Sequence, residues 1–225
     1  MVARRDLHVE VELTAPARCV LFDCDGTLVD SELPGNAALA RQLALAGIAE
    51  SAEAITARFR GHKLADMLAA LQSSHGVSLP PDFVDRYRER AAALFETDVV
   101  PMPGAADMLA RLELPMCVVS NGPLAKIRQN LRVAGLAHHF GDRLFSAYEI
   151  GAWKPDPGLF LHAARAMGVA PGDCVVVDDS AAGIQAAGRA GMRALWFVPH
   201  GPPSEVPAHA TPVADMAALA GLLHG

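Results

Sequence analysis

Four short apolar runs punctuate the chain: Cys19-Val20-Leu21-Phe22, Met116-Cys117-Val118-Val119, Cys174-Val175-Val176-Val177 and Ala194-Leu195-Trp196-Phe197-Val198. Each ends abruptly in polar or glycine-rich sequence. Runs with no polar alternation are expected of strands buried on both faces, which is the condition of a parallel sheet. Between them the pattern changes to helical spacing over residues 105–112, 124–134, 157–167 and 180–190, with a glycine near the end of the last three. Strand and helix in alternation predict an α/β fold with a doubly wound parallel sheet.

From residue 33 to residue 99 no strand-like run occurs. Helical spacing instead covers residues 36–46, 53–59, 64–71 and 82–95, which predicts an α-helical cap inserted after the first strand. Pro101, Pro103 and Gly104 break the pattern and mark the return, while the other crossing is expected between Ser31 and Gly35. The expected division is therefore a core of residues 19–32 and 100–225, a cap of residues 33–99, and an N-terminal arm of residues 1–18. In that arm Leu7, Val9, Val11 and Leu13 alternate with His8, Glu10 and Glu12, a pattern that suits either an extra edge strand or a frayed tail.

Composition narrows the class. With 225 residues, 52% of them hydrophobic and 20% charged, the chain can bury a substantial core. Its formal charge of −6 and the lack of a Lys/Arg cluster argue against nucleic acid as a partner. A small anion remains compatible, because a bound cation and a few aimed N–H groups outweigh a diffuse negative surface. Cys19, Cys24, Cys117 and Cys174 lack metal-ligand spacing and read as reduced thiols, so a cytoplasmic setting is expected. No secretory leader and no membrane span is expected either. A monomer or weak homo-oligomer is the expected state.

The chemistry-bearing residues follow the strand-like runs. Asp23-Cys24-Asp25-Gly26-Thr27 comes directly after the first, placing two carboxylates at the carboxyl edge of a sheet, where doubly wound proteins bind ligands. Ser120-Asn121-Gly122 follows the second, and the helix that Pro123 can open adds N–H groups suited to phosphate oxygens. The same string is also ordinary turn chemistry. Lys154 sits between Trp153 and the stiff Pro155-Asp156-Pro157, where Asp156 suits a helix N-cap and Pro157 a first helical position. A solvated lysine is the plainer alternative. Asp178 and Asp179 end the third run, and adjacent acids repel unless a cation is near, so with Asp23 and Asp25 they predict an oxygen-lined site for a hard divalent ion, Mg²⁺ by preference.

These four segments resemble the four motifs of haloacid dehalogenase superfamily phosphatases with a small helical cap, over about residues 19–198. The resemblance implies a phosphatase acting on a small phosphorylated metabolite, with Asp23 as nucleophile, Asp25 as general acid and base, Ser120 and Lys154 as phosphate and charge partners, and Asp178 and Asp179 at the metal. The strings PMCVVSNGP and RLFSAYEIGAWKPDPGLFLHAARAM are similar to bacterial sugar-phosphate phosphatases of the 6-phosphogluconate phosphatase type. A phosphosugar mutase of the β-phosphoglucomutase type is the alternative within the superfamily. Such mutases carry a His where this chain has Gly35 and an Arg where it has Leu64, so water is favoured as acceptor. A non-catalytic phosphometabolite-binding module is the alternative of another class. Alignment with substrate-contacting cap loops makes Gly61, His62 and Lys63 candidate substrate-binding residues; a solvated basic helix end is the plainer reading.

Overall fold

The computed structural model describes residues 16–59, 64–199, 201 and 204–224. In chain order the elements are β1 (Cys19–Phe22), β2 (Val29–Asp30), α1 (Glu32–Leu45), α2 (Ala52–Phe59), α3 (Leu64–His75), α4 (Phe83–Phe95), β3 (Val100–Pro101) and α5 (Ala105–Arg111). There follow β4 (Met116–Ser120), α6 (Leu124–Val133), α7 (Ala137–Phe140), β5 (Leu144–Ser146), α8 (Ala147–Ile150), α9 (Gly158–Ala166), β6 (Cys174–Asp178), α10 (Ala181–Arg189), β7 (Arg193–Phe197), β8 (Ala210–Val213) and α11 (Met216–His224).

Six strands form one sheet in the order β5-β4-β1-β6-β7-β8, every neighbouring pair parallel. The period-2 geometry of a strand sends successive side chains to opposite faces. Val20, Phe22, Val118, Val175 and Val177 accordingly join one apolar cluster with Ile127 and Leu131 of α6 and Leu219 of α11. Cys19, Leu21, Cys117, Cys174 and Val176 join another with Phe160 of α9 and Ile184 of α10. Both faces are covered by helices, which is why these strands are apolar without alternation and why the expected doubly wound sheet is found. Helices α6, α9 and α10 are followed by Gly135, Gly168 and Gly191 at φ values of 74°, 69° and 71°, the left-handed stop that glycine makes cheap.

The expected edge strand over residues 7–13 lies outside the described residues. Among the described ones the sheet is edged by β5 and β8. Helices α1 to α4 surround their own apolar cluster, which includes Leu39, Leu43, Ile55, Leu71 and Phe83. The chain leaves and re-enters the sheet region through β2 and β3, paired antiparallel with Val29 opposite Pro101 and Asp30 opposite Val100. Both crossings are thus side by side, and the helical insertion hangs on a two-stranded stem.

Candidate active site

The carboxyl ends of β1, β4 and β6 converge, and their terminal side chains form the site. Asp23 continues β1, its N–H donating to the Val177 carbonyl at 2.8 Å, and its side chain is buried. The backbone then turns at Gly26, with φ of 84°, beside Asp179: a Cβ placed at Gly26 would come 2.5 Å from Asp179 Oδ2. Only glycine satisfies both the left-handed φ and that approach. Thr27 closes the turn, its Oγ1 donating to Asp179 Oδ1 at 3.0 Å and accepting from the Asp179 N–H at 3.1 Å. Trp196 Nε1 donates to the Asp179 carbonyl at 3.0 Å, so Asp179 is fixed from β7 as well.

Lys154 is buried, and its Nζ donates to Asp23 Oδ1 at 2.6 Å and to Asp178 Oδ2 at 2.7 Å. Burial alone would lower the ammonium, yet the charges of Asp178 and Asp23 outweigh it and hold Lys154 above its ordinary range. Asn121 braces this lysine from β4: its Oδ1 accepts from the Lys154 N–H at 2.9 Å and its Nδ2 donates to the Lys154 carbonyl at 3.3 Å. The Asn121 side-chain amide is thus committed at both ends to positioning Lys154. Ser120 is buried at the end of β4, its Oγ accepting from the Gly122 N–H at 3.1 Å.

Asp178 gives its second oxygen to Ser180, which donates through its N–H at 2.9 Å and its hydroxyl at 2.6 Å while capping α10 by accepting from the Gly183 N–H. A Cβ at Gly183 would overlap the Asp178 carboxylate outright. Helix propensity favours Ala over Gly by about 1 kcal/mol. Overpacking a fixed carboxylate costs about 1–3 kcal/mol, which outweighs that preference. Gly183→Ala is therefore expected to lower the melting temperature, and a variant that melts at or above wild type would show that α10 retreats freely from Asp178.

Asp23, Asp178 and Asp179 each offer a carboxylate oxygen within 4.8 Å of the others, the one such group among the described residues. Burial first holds Asp23 well above the usual carboxylate range; Asp178 and Asp179 add to this and Lys154 opposes it. Asp179 is pushed up to about 7, by burial first and by Asp178 second. Crowded, buried oxygen donors with unfavourable ionisation are what a hard divalent cation relieves, so the donor set fits Mg²⁺. The Asp25 carboxylate is not part of that group. Its Oδ1 accepts from Ser31 Oγ at 2.5 Å and Asn130 Nδ2 at 2.8 Å, and its Oδ2 accepts from Lys126 Nζ at 3.0 Å. These three donors occupy the Asp25 side chain. Lys126 and Asn130 were not expected. The signal for Asn130 was a polar residue on the buried stripe of α6 with Ile127 and Leu131.

Trp153, next to Lys154 in sequence, is half-exposed and meets the Tyr148 ring edge-on at 5.6 Å between centroids. Gly61, His62 and Lys63 lie outside the described residues. A cleft of about 490 Å³ opens beside Asp179 between the start of the helical insertion and the loop after β7, lined by Asp30, Leu33, Phe197 and Asp215 among others. No helix among the described residues is long and apolar enough to cross a membrane.

The family model of haloacid dehalogenase-like hydrolases matches residues 17–191, which spans β1 through α10 and includes Asp23, Asp25, Ser120, Lys154, Asp178 and Asp179. The chain belongs to that family. Among curated proteins it is 42% identical to 6-phosphogluconate phosphatase of Escherichia coli over 187 residues, 82% of this chain and 85% of that protein. It is 32% identical to fructose-1-phosphate phosphatase YqaB of the same organism, over 78% of this chain and 94% of the other. Among solved structures, a HAD family hydrolase from Deinococcus radiodurans with bound phosphate and sodium superposes with a TM-score of 0.78 at 33% identity, covering 93% of this chain and 98% of its own. The expected enzyme class, a phosphoric monoester hydrolase, is borne out by these relatives.

Proposed function

We propose that this haloacid dehalogenase-like enzyme is a Mg²⁺-dependent phosphatase of a small sugar-type phosphate, acting through an aspartyl phosphate at Asp23. The observation that carries the reading is the convergence of Asp23, Lys154, Asp178 and Asp179 at one sheet edge, with the Asp25 carboxylate held separately by its own three donors. Asp23 Oδ attacks phosphorus, the bond from phosphorus to the ester oxygen breaks, and Asp25 supplies the proton that the departing alkoxide takes up. Water then attacks the same phosphorus, Asp25 takes its proton, and Asp23 leaves as a carboxylate beside phosphate. Lys154 and the Ser120 hydroxyl neutralise charge on the phosphoryl oxygens. A divalent ion held by Asp23 and Asp179, with Asp178 in support, would supply the further positive charge that phosphoryl transfer requires.

The sugar-phosphate class rests on the relatives' substrates and on a cleft beside Asp179 of a size that suits a small organic moiety. The mutase alternative is weaker, because Gly35 offers no side chain and the Tyr87 hydroxyl and Phe95 ring lie 3.7 and 3.6 Å from where its Cβ would be. Four free, buried thiols suit a reducing cytoplasm. The test is phosphate release from 6-phosphogluconate, fructose 1-phosphate and p-nitrophenyl phosphate by purified protein. Release should require Mg²⁺, stop with EDTA, and form no glucose 1,6-bisphosphate from glucose phosphates. Turnover that survives exhaustive chelation, or none on any phosphate ester, would reject the reading.

A further inference from the structure

Helix α6 carries Lys126 and Asn130 one turn apart, a spacing that puts both on one face. Asn130 is fully buried beside Ile127 and Leu131, where a leucine would pack at no desolvation cost. Its Nδ2 nevertheless donates to Asp25, while its Oδ1 has no partner among the described residues. The half-buried Lys126 donates to the other oxygen of Asp25 and at the same time stands over the Phe95 ring, 5.2 Å from its centroid. Phe95 is the last residue of α4, in the helical insertion, and the Gln129 amide of α6 reaches the Ala92 carbonyl of the same helix at 3.4 Å. Lys126 therefore links the catalytic-side helix α6 to the helical insertion, alongside the Gln129 contact and the β2–β3 stem.

We propose that Lys126 is a positioning residue that fixes the Asp25 carboxylate for proton transfer when α4 is seated on α6. The inference rests on the phosphatase reading for the proton that Asp25 moves. With α4 seated, the Phe95 face covers one side of the ammonium and directs its N–H groups toward Asp25. With α4 withdrawn, water takes the place of the ring, the ammonium is no longer confined, and Asp25 keeps two anchors instead of three. Proton transfer is then tied to the arrangement that shields the reacting centre from solvent.

The deciding experiment combines kinetics and crystallography on Lys126→Met. A misplaced acid slows departure of a poor leaving group, so kcat for a sugar phosphate should fall by about 10- to 100-fold. The p-nitrophenolate burst, whose leaving group needs no proton, should change by less than about threefold. Lys126→Arg should restore most of the loss, and Phe95→Leu, which alters no charge, should show the same leaving-group selectivity at about three- to tenfold. In the crystal structure of Lys126→Met the Asp25 carboxylate should rotate away from its present hydrogen bonds. Equal losses on burst and sugar phosphate, no loss at all, or an unmoved Asp25 would overturn the proposal. A wild type inert on every ester would instead reject the phosphatase reading, and the Asp25 orientation in the variant would still decide the positioning role.

Discussion

Asp23→Asn is expected to eliminate turnover, with kcat falling on the order of 10⁶, the scale seen when a covalent nucleophile is removed. An amide oxygen cannot form the acyl phosphate, and the neighbouring acids are engaged elsewhere: Asp178 by Lys154 and Ser180, Asp179 by Thr27, and Asp25 by Lys126, Asn130 and Ser31. The fold should not suffer. The Asp23 carboxyl is held well above its ordinary range, burial being the largest cause. A carboxyl raised in this way contributes its full stability below the unfolded value, about 3.9, and loses it as pH climbs toward the folded value. At neutral pH the wild type already bears that cost, which a neutral amide avoids. The variant should therefore melt no lower than wild type without metal, and should gain less on adding Mg²⁺. Substantial phosphate release by the variant would remove Asp23 from the nucleophilic role, and a marked fall in melting temperature would mean that its charge is needed for the fold.

The parts of this arrangement that were legible in the sequence share one physical property. Strands β1, β4, β6 and β7 are buried on both faces, so their apolar runs stand out, and the residues that end them had to lie along one sheet edge. Short or peripheral elements carried no such signal. Strand β5 has three residues, β2 and β3 have two each, and β8 sits at the edge with Pro212 inside it, which reads against a strand unless the edge is known. The same limit applied to the site. Asp156 was expected to cap a helix beginning at Pro157; α9 instead begins at Gly158 with Pro157 in the N-cap position, and Asp156 accepts from the Gly158 N–H at 2.7 Å from one residue further out. Two of the three partners of Asp25, by contrast, lie 101 and 105 residues away, and Lys126 is indistinguishable in sequence from any lysine on an amphipathic helix. The Asn121 amide fixes Lys154 across 33 residues, a contact that no local pattern encodes.

Lys154→Met is the variant in which stability and catalysis should fail together. The side chain is 2% exposed and holds two carboxylates, Asp23 at 2.6 Å and Asp178 at 2.7 Å, with the Phe160 ring 5.1 Å from its ammonium. Removing one member of such a buried set leaves uncompensated charge, at a cost of about 3–5 kcal/mol. The loss should depend on pH with a definite sign. Lys154 is raised above its ordinary value, so its own contribution is fully present below about 10.4 and constant through the neutral range. Asp23, however, is kept from rising further by Lys154, and without that ammonium its folded value climbs. The variant therefore loses stability as pH rises over a range where the wild type still holds it, and the gap between them should be wider at about pH 8 than at about pH 5 in urea unfolding. Turnover, in a variant that still folds, should drop by about 10²–10³ for want of fixed positive charge on the transferring group. Lys154→Arg should rescue poorly, since a planar fork needs more room than a point ammonium sealed between two acids. A gap that does not change with pH would mean that Lys154 holds its place by packing on Phe160, with the two carboxylates stabilised by other groups.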